Sequence, residues 1–104
     1  MLNKPKIEVV IHEGQKVVDS YTLYCKMGLH IAVYNRWVRN ARNRGGKDID
    51  WFLNADLLKL NRRIKARYYF TLDFARAMCI KDRTKGSNEL IVFLKEEQNK
   101  PLNI

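Results

Sequence analysis

The apolar residues of this chain change period at Thr71, and that change fixes the class of fold. Before it, Ile64, Ala66, Tyr68 and Phe70 alternate with Lys65, Arg67 and Tyr69, the period of two expected of a half-buried strand. After it, Leu72, Phe74, Ala75, Met78, Cys79 and Ile80 surround most of one helix with apolar groups and make it the central core element. Thr71 stands at the junction, where its hydroxyl suits an N-cap. Asp73 then complements the positive end of the helix dipole in the first turn. A strand that runs straight into a core helix fits a mixed α+β domain.

The segments before this junction extend the same scheme. Residues 6–11 alternate and are rich in β-branched side chains, Glu13-Gly14 interrupts them, and Lys16-Val17-Val18 resumes the pattern, which predicts an N-terminal hairpin over residues 6–18. Asp19 or Ser20 then caps a short helix with Leu23 and Met27 on its inner face, and Gly28 fits a left-handed C-cap. A second helix follows. At 100° per residue, Ile31, Tyr34, Trp37, Val38 and Ala41 share one side of it, and Arg36, Arg39, Asn40 and Asn43 share the other. It must end near Arg44-Gly45-Gly46.

Residues 51–60 fit two patterns. Trp51, Leu53, Ala55 and Leu57 alternate as in a strand, whereas Leu53, Leu57 and Leu60 fit a helical turn capped by Asn54. Extended structure with a local turn is the preferred reading, and it makes a hairpin over residues 50–70 with Asn61-Arg62-Arg63 between its arms. The last helix runs from about Ser87 to Gln98 with Leu90, Ile91, Phe93 and Leu94 inward, although Val92 and Phe93 also suit a dimer seam. Pro101 ends the ordered part. The expected architecture is one small winged-helix-like domain over residues 1–104. It comprises the N-terminal hairpin, a helix-turn-helix over 19–44, a basic wing over 50–70 and two C-terminal helices over 71–98.

Charge points to a partner. Of a formal net charge of +9, residues 36–67 carry +7, from ten Lys or Arg against Asp48, Asp50 and Asp56. The runs 36–47 and 59–67 contain no acid at all. Two separate basic runs describe a positive face rather than a tail, the electrostatic mark of a polyanion, usually nucleic acid and less often an anionic membrane. Arg matches guanine O6 and N7, and Asn matches adenine N6 and N7, in bidentate geometry in a major groove. Arg36, Arg39, Asn40 and Asn43 are therefore the expected base contacts. Arg42, Arg44, Lys47, Lys59, Arg62, Arg63 and Lys65 are the expected contacts to the DNA backbone. An ordinary solvated surface carries the same residue types, and Arg62 and Arg63 equally suit an edge hairpin kept soluble by charge.

Other classes find little support. No apolar run approaches membrane-spanning length, and residues 1–10 lack the apolar core of a signal peptide, so a cytoplasmic protein is expected. Cys25 and Cys79 both lie among apolar neighbours on helical segments and read as buried, reduced thiols. His12 and His30 read as turn polarity, since Cys25 with His30 lacks a second ligand pair for zinc and no Gly-rich phosphate loop is present. Asp48, Asp50, Asp73, Glu96 and Glu97 show no convergent acid cluster in sequence, so no enzyme, cofactor or metal is expected.

The segment 18–28, VDSYTLYCKMG, followed by Tyr34, Trp37 and Gly46-Lys47-Asp48-Ile49, resembles the N-terminal domain of the phage AntA/AntB antirepressor family. The likeness is closer in Tyr69-Phe70-Thr71-Leu72-Asp73-Phe74-Ala75 and in the helix that follows Lys85-Gly86, and it spans residues 9–98. Lys26, Ile49 and the run Val38-Arg39-Asn40-Ala41-Arg42 depart from the family pattern. The resemblance, to a family related in type to BRO and KilA-N phage regulators, implies a bacterial host cytoplasm and either double-stranded DNA or a phage repressor protein as partner. It also implies that the further C-terminal domain of many phage antirepressors is absent. A two-fold homodimer is the default expectation for a helix-turn-helix protein, because palindromic half-sites double the contacts.

Overall fold

In the computed structural model, residues 7–54 and 67–101 are described. Among them four short strands form one antiparallel sheet in the order β1-β2-β4-β3: β1 is Val10–His12, β2 Gln15–Asp19, β3 Trp51–Leu53 and β4 Tyr68–Thr71. The helices are α1 (Ser20–Lys26), α2 (Tyr34–Arg44), α3 (Leu72–Lys81) and α4 (Lys85–Asn99), with a single 3-10 turn at Ile31–Val33 ahead of α2. The α+β class follows directly.

Register decides which side chains meet the helices. Val18 opposes Phe70, and Phe70 opposes Trp51, so these three lie on one face with Tyr68. That face packs with Leu23, Tyr24, Met27, Tyr34, Val38, Phe74, Met78, Leu90 and Leu94 into the main core. The opposite face carries Val17, Asp19, Tyr69 and Phe52, and there the His12 ring lies 5.0 Å from Phe52 and 5.1 Å from Tyr69.

Local chemistry sets the boundaries. Glu13 and Gly14 both take positive φ in the turn of the β1–β2 hairpin. Asp19 Oδ2 accepts from the Thr22 N–H at 2.9 Å and caps α1, and Gly28 adopts φ 81° at its end. Thr71 Oγ1 accepts from the Phe74 N–H at 3.2 Å, the cap expected at the change of period. Helix α4 starts two residues earlier than Ser87 because Thr84, not a later residue, supplies the cap: its Oγ1 accepts from Ser87 N–H at 3.0 Å. The first turn of α4 then packs tightly on the end of α1. A Cβ on Gly86 would lie 2.3 Å from the Lys26 carbonyl oxygen.

Several expectations are corrected. Cys25 is exposed, because the buried side of α1 is formed by Ser20, Leu23 and Tyr24 and the next position turns outward. Ile80 is also exposed, since α3 buries Leu72, Phe74, Ala75, Met78 and Cys79 and leaves its far side open. Ile31 sits in the 3-10 turn rather than on α2 and is exposed. In β3 the buried residue is Phe52, on the second face, while Leu53 is exposed. His12 packs on two rings in β1, and His30 caps the 3-10 turn by accepting from Ala32 N–H at 3.1 Å through Nδ1. Val92 is exposed and Phe93 only half-buried on α4. The paired arms β3 and β4 form part of the expected 50–70 hairpin; residues 55–66, which include its Asn61-Arg62-Arg63 segment, lie outside the described residues. Among the described residues no helix is long and apolar enough to cross a membrane.

Candidate nucleic-acid interface

Helix α2 is anchored on one side and open on the other. Tyr34, Val38 and Ala41 are buried, and Trp37 packs against Tyr24 and Phe70 with its indole N–H donating to Asp82 Oδ2 at 2.6 Å. Burial alone would raise the Asp82 carboxyl, but hydrogen bonds from Lys81 and Trp37 and the charges of Lys81 and Arg44 outweigh it and hold the group below its ordinary value. Tyr34 donates or accepts a hydrogen bond with the Ser20 hydroxyl at 2.7 Å, and burial pushes its phenol well up. These contacts fix the rotation of α2 about its axis. Arg36, Arg39, Asn40 and Asn43 are consequently exposed together, with Arg44 and Lys47 exposed beyond them at the C-terminal end.

The turn after α2 uses Asp48 and Asp50, two of the three acids within the basic stretch. Asp50 Oδ2 accepts from the Gly46 N–H at 2.8 Å, and Asp48, at φ 59°, donates its N–H to the Trp51 carbonyl at 2.8 Å. Asp48 and Asp50 thus shape the backbone that leads into β3, and the basic face of α2 keeps no carboxylate of its own helix to neutralise it.

Arg42 differs from the other expected contacts. It is half-buried, and its guanidinium lies over the Tyr68 ring at 4.8 Å and the Trp51 ring at 5.6 Å. The indole N–H of Trp51 donates to the carbonyls of Arg42 and Gly45 at 3.2 and 3.3 Å, so the ring that supports the side chain is pinned to the end of the same helix. Beside it, a notch of about 360 Å³ opens between α2 and β4, lined by Asn35, Arg36, Val38, Arg39, Arg42 and Tyr68.

Arg67, counted in sequence with an exposed row, immediately precedes β4 and is buried. Its guanidinium pairs with Asp19, donating through Nε at 3.0 Å and through Nη2, and it lies over the Tyr21 ring at 4.9 Å. Asn54 also donates to Asp19, at 3.3 Å. The pairing was not visible from spacing, since Asp19 and Arg67 are 48 residues apart. Lys59, Arg62, Arg63 and Lys65 lie outside the described residues. Among the described residues no three His, Cys, Asp or Glu side chains gather as metal ligands would.

No known protein family, curated protein or solved structure matches this chain.

Proposed function

We propose that this chain is a transcriptional regulator of phage or prophage type that binds double-stranded DNA, with α2 as the helix presented to the major groove. The observation that carries the reading is the exposed side of α2. Arg36, Arg39, Asn40 and Asn43 stand together on a helix whose other side is held by core packing, and the helix contains no acid. A rigid support matters because bidentate base contacts demand fixed side-chain origins. In this reading α1, the Gly28 turn and α2 act as a helix-turn-helix, and β3 and β4 form the arms of a wing whose basic segment, with Lys59, Arg62, Arg63 and Lys65, supplies phosphate contacts.

The test is binding to random duplex DNA across a salt series, together with selection of preferred sites. Strong salt dependence with an enriched motif supports a sequence-reading regulator. No binding at low salt, despite the formal net charge of +9, sinks the groove assignment and leaves capture of a phage repressor protein as the account to pursue.

A further inference from the structure

We infer that the notch between α2 and β4 is a phosphate socket, with Arg39 and Arg42 as its ligands and a nucleic-acid backbone phosphate as its occupant. The inference rests on the DNA-binding reading and changes one assignment within it: Arg39 serves the backbone, leaving Arg36, Asn40 and Asn43 for base edges.

Position around the helix distinguishes Arg39 and Arg42 from Asn40. At 100° per residue, Asn35, Arg39 and Arg42 fall towards the flank of α2 that borders Val38, Arg36 and Asn43 point directly away from the buried side, and Asn40 lies towards the opposite flank. The flank is the side that meets Tyr68 across the notch.

Arg42 is prepared for an anion. Two rings hold its guanidinium plane, and both rings are themselves fixed: Trp51 through its indole N–H to Arg42 and Gly45, Tyr68 through its backbone N–H to Ser20 Oγ at 2.9 Å. A planar fork held in place loses little further freedom when it binds two oxygens. Among the described residues that line the notch none is acidic, so Arg36, Arg39 and Arg42 gather positive charge there without a counterion. The non-bridging oxygens of a phosphate supply both the acceptors and the charge. The volume of about 360 Å³ leaves room for the sugar attached to that phosphate.

The experiment uses the full chain and four forms of it: wild type, Arg42→Gln, Arg42→Lys and Arg39→Gln. Each is titrated with a selected duplex, a random duplex, and selected duplexes that carry one neutral methylphosphonate at a time. Arg42→Gln is expected to weaken both unmodified duplexes by the same factor, about fivefold, and to lower the salt slope by about 1. Arg42→Lys keeps the charge without the planar fork and restores only part of the loss. Arg39→Gln acts in the same way and leaves base preference unchanged. One methylphosphonate position per half-site costs wild type as much as the substitution does and costs Arg42→Gln nothing more. Thermal melting of each variant confirms that it is folded, and Arg42→Lys carries the test where Arg42→Gln is not.

An altered base preference in Arg39→Gln, or a methylphosphonate loss undiminished in the folded Arg42 variant, overturns the socket. Failure of wild type to bind any duplex is a failure of the DNA reading instead. Inorganic triphosphate then decides: a saturable shift of the Trp51 indole resonance, lost in the Arg42 variant, keeps the socket for a small phosphate compound, and no shift overturns it.

Discussion

Asp19 and Arg67 form a nearly buried ion pair that joins the first helix to the root of the β3–β4 arms. The same carboxylate caps α1 at Thr22 and receives the side chain of Asn54, while Asn54 and Arg67 are bonded through backbone N–H and carbonyl at 3.0 Å. One acid thus fixes the start of α1 relative to both strands that flank residues 55–66.

Removing that acid exposes what it holds. Asp19→Ala leaves Arg67 as a buried charge without its partner and removes the cap, a loss of about 3 to 5 kcal/mol. Asp19→Asn retains a capping oxygen and costs less. Urea unfolding of the two variants checks the order, and an Asp19→Ala chain as stable as wild type would show that solvent replaces the pair.

The Trp37–Asp82 contact gives the protein an acid limit. The folded-state Asp82 carboxyl titrates below its ordinary value of 3.8, so the stability it contributes is fully present above that value and is lost as pH falls through the lower, folded one. Stability measured at pH 7 and at pH 3 is expected to differ less in Asp82→Asn than in wild type. An equal pH dependence in both would mean that the Trp37 and Lys81 contacts do not hold the charge.

What the sequence disclosed and what it withheld divide along a physical line. Thr71, Gly28 and the alternation of Tyr68 with Phe70 were legible because a cap, a left-handed turn and a strand each depend on neighbours in the chain. Arg67, Arg42 and Cys25 were not. Alternation set Arg67 apart from Tyr68, but it cannot tell whether other side chains cover that position, and here Asp19 and Tyr21 do. The flank position of Arg42 was readable from the helical wheel, yet its placement over Trp51 and Tyr68 depends on how two strands cross the helix. Cys25 shows how little tolerance a seven-residue helix allows, since a step of one residue moves a side chain from core to solvent. The open side of α2 was legible in full, because it needs only the absence of apolar residues.

The two thiols should separate cleanly by reactivity. Burial, with a smaller effect of Asp82, pushes the Cys79 thiol up to about 12, so it stays protonated and covered at pH 8, whereas Cys25 is exposed. Ellman's reagent on the folded protein is expected to modify one thiol promptly and both after denaturation, with Cys25→Ser abolishing the prompt phase. Two prompt thiols in the native state would contradict the packing of α3.

Gly86 supplies the sharpest steric test. Its φ is not in the left-handed region, so the requirement is space: a methyl group would meet the Lys26 carbonyl oxygen at 2.3 Å and the Met27 carbonyl carbon at 3.0 Å, both backbone atoms that cannot rotate away. Gly86→Ala should therefore destabilise by about 1 to 3 kcal/mol, although alanine is the better helix former. An increase in melting temperature would show that α1 and α4 are further apart than described.

The outer side of α2 and the turn beyond it should respond differently when DNA is the ligand. Asn40 is exposed within the proposed reading face, and Lys47 is exposed past the end of the helix, where the proposed function assigns it to a phosphate. Asn40→Ala is expected to cost about 1 to 3 kcal/mol on the preferred site, to leave random duplex binding almost unchanged, and so to relax preference at one base pair. Lys47→Ala is expected to weaken preferred and random duplexes alike and to lower the salt slope by about 1. Competition binding with the two duplexes at several salt concentrations separates the effects. Equal losses on both duplexes for Asn40→Ala would move Asn40 to the backbone and require Arg36 or Asn43 to carry the reading.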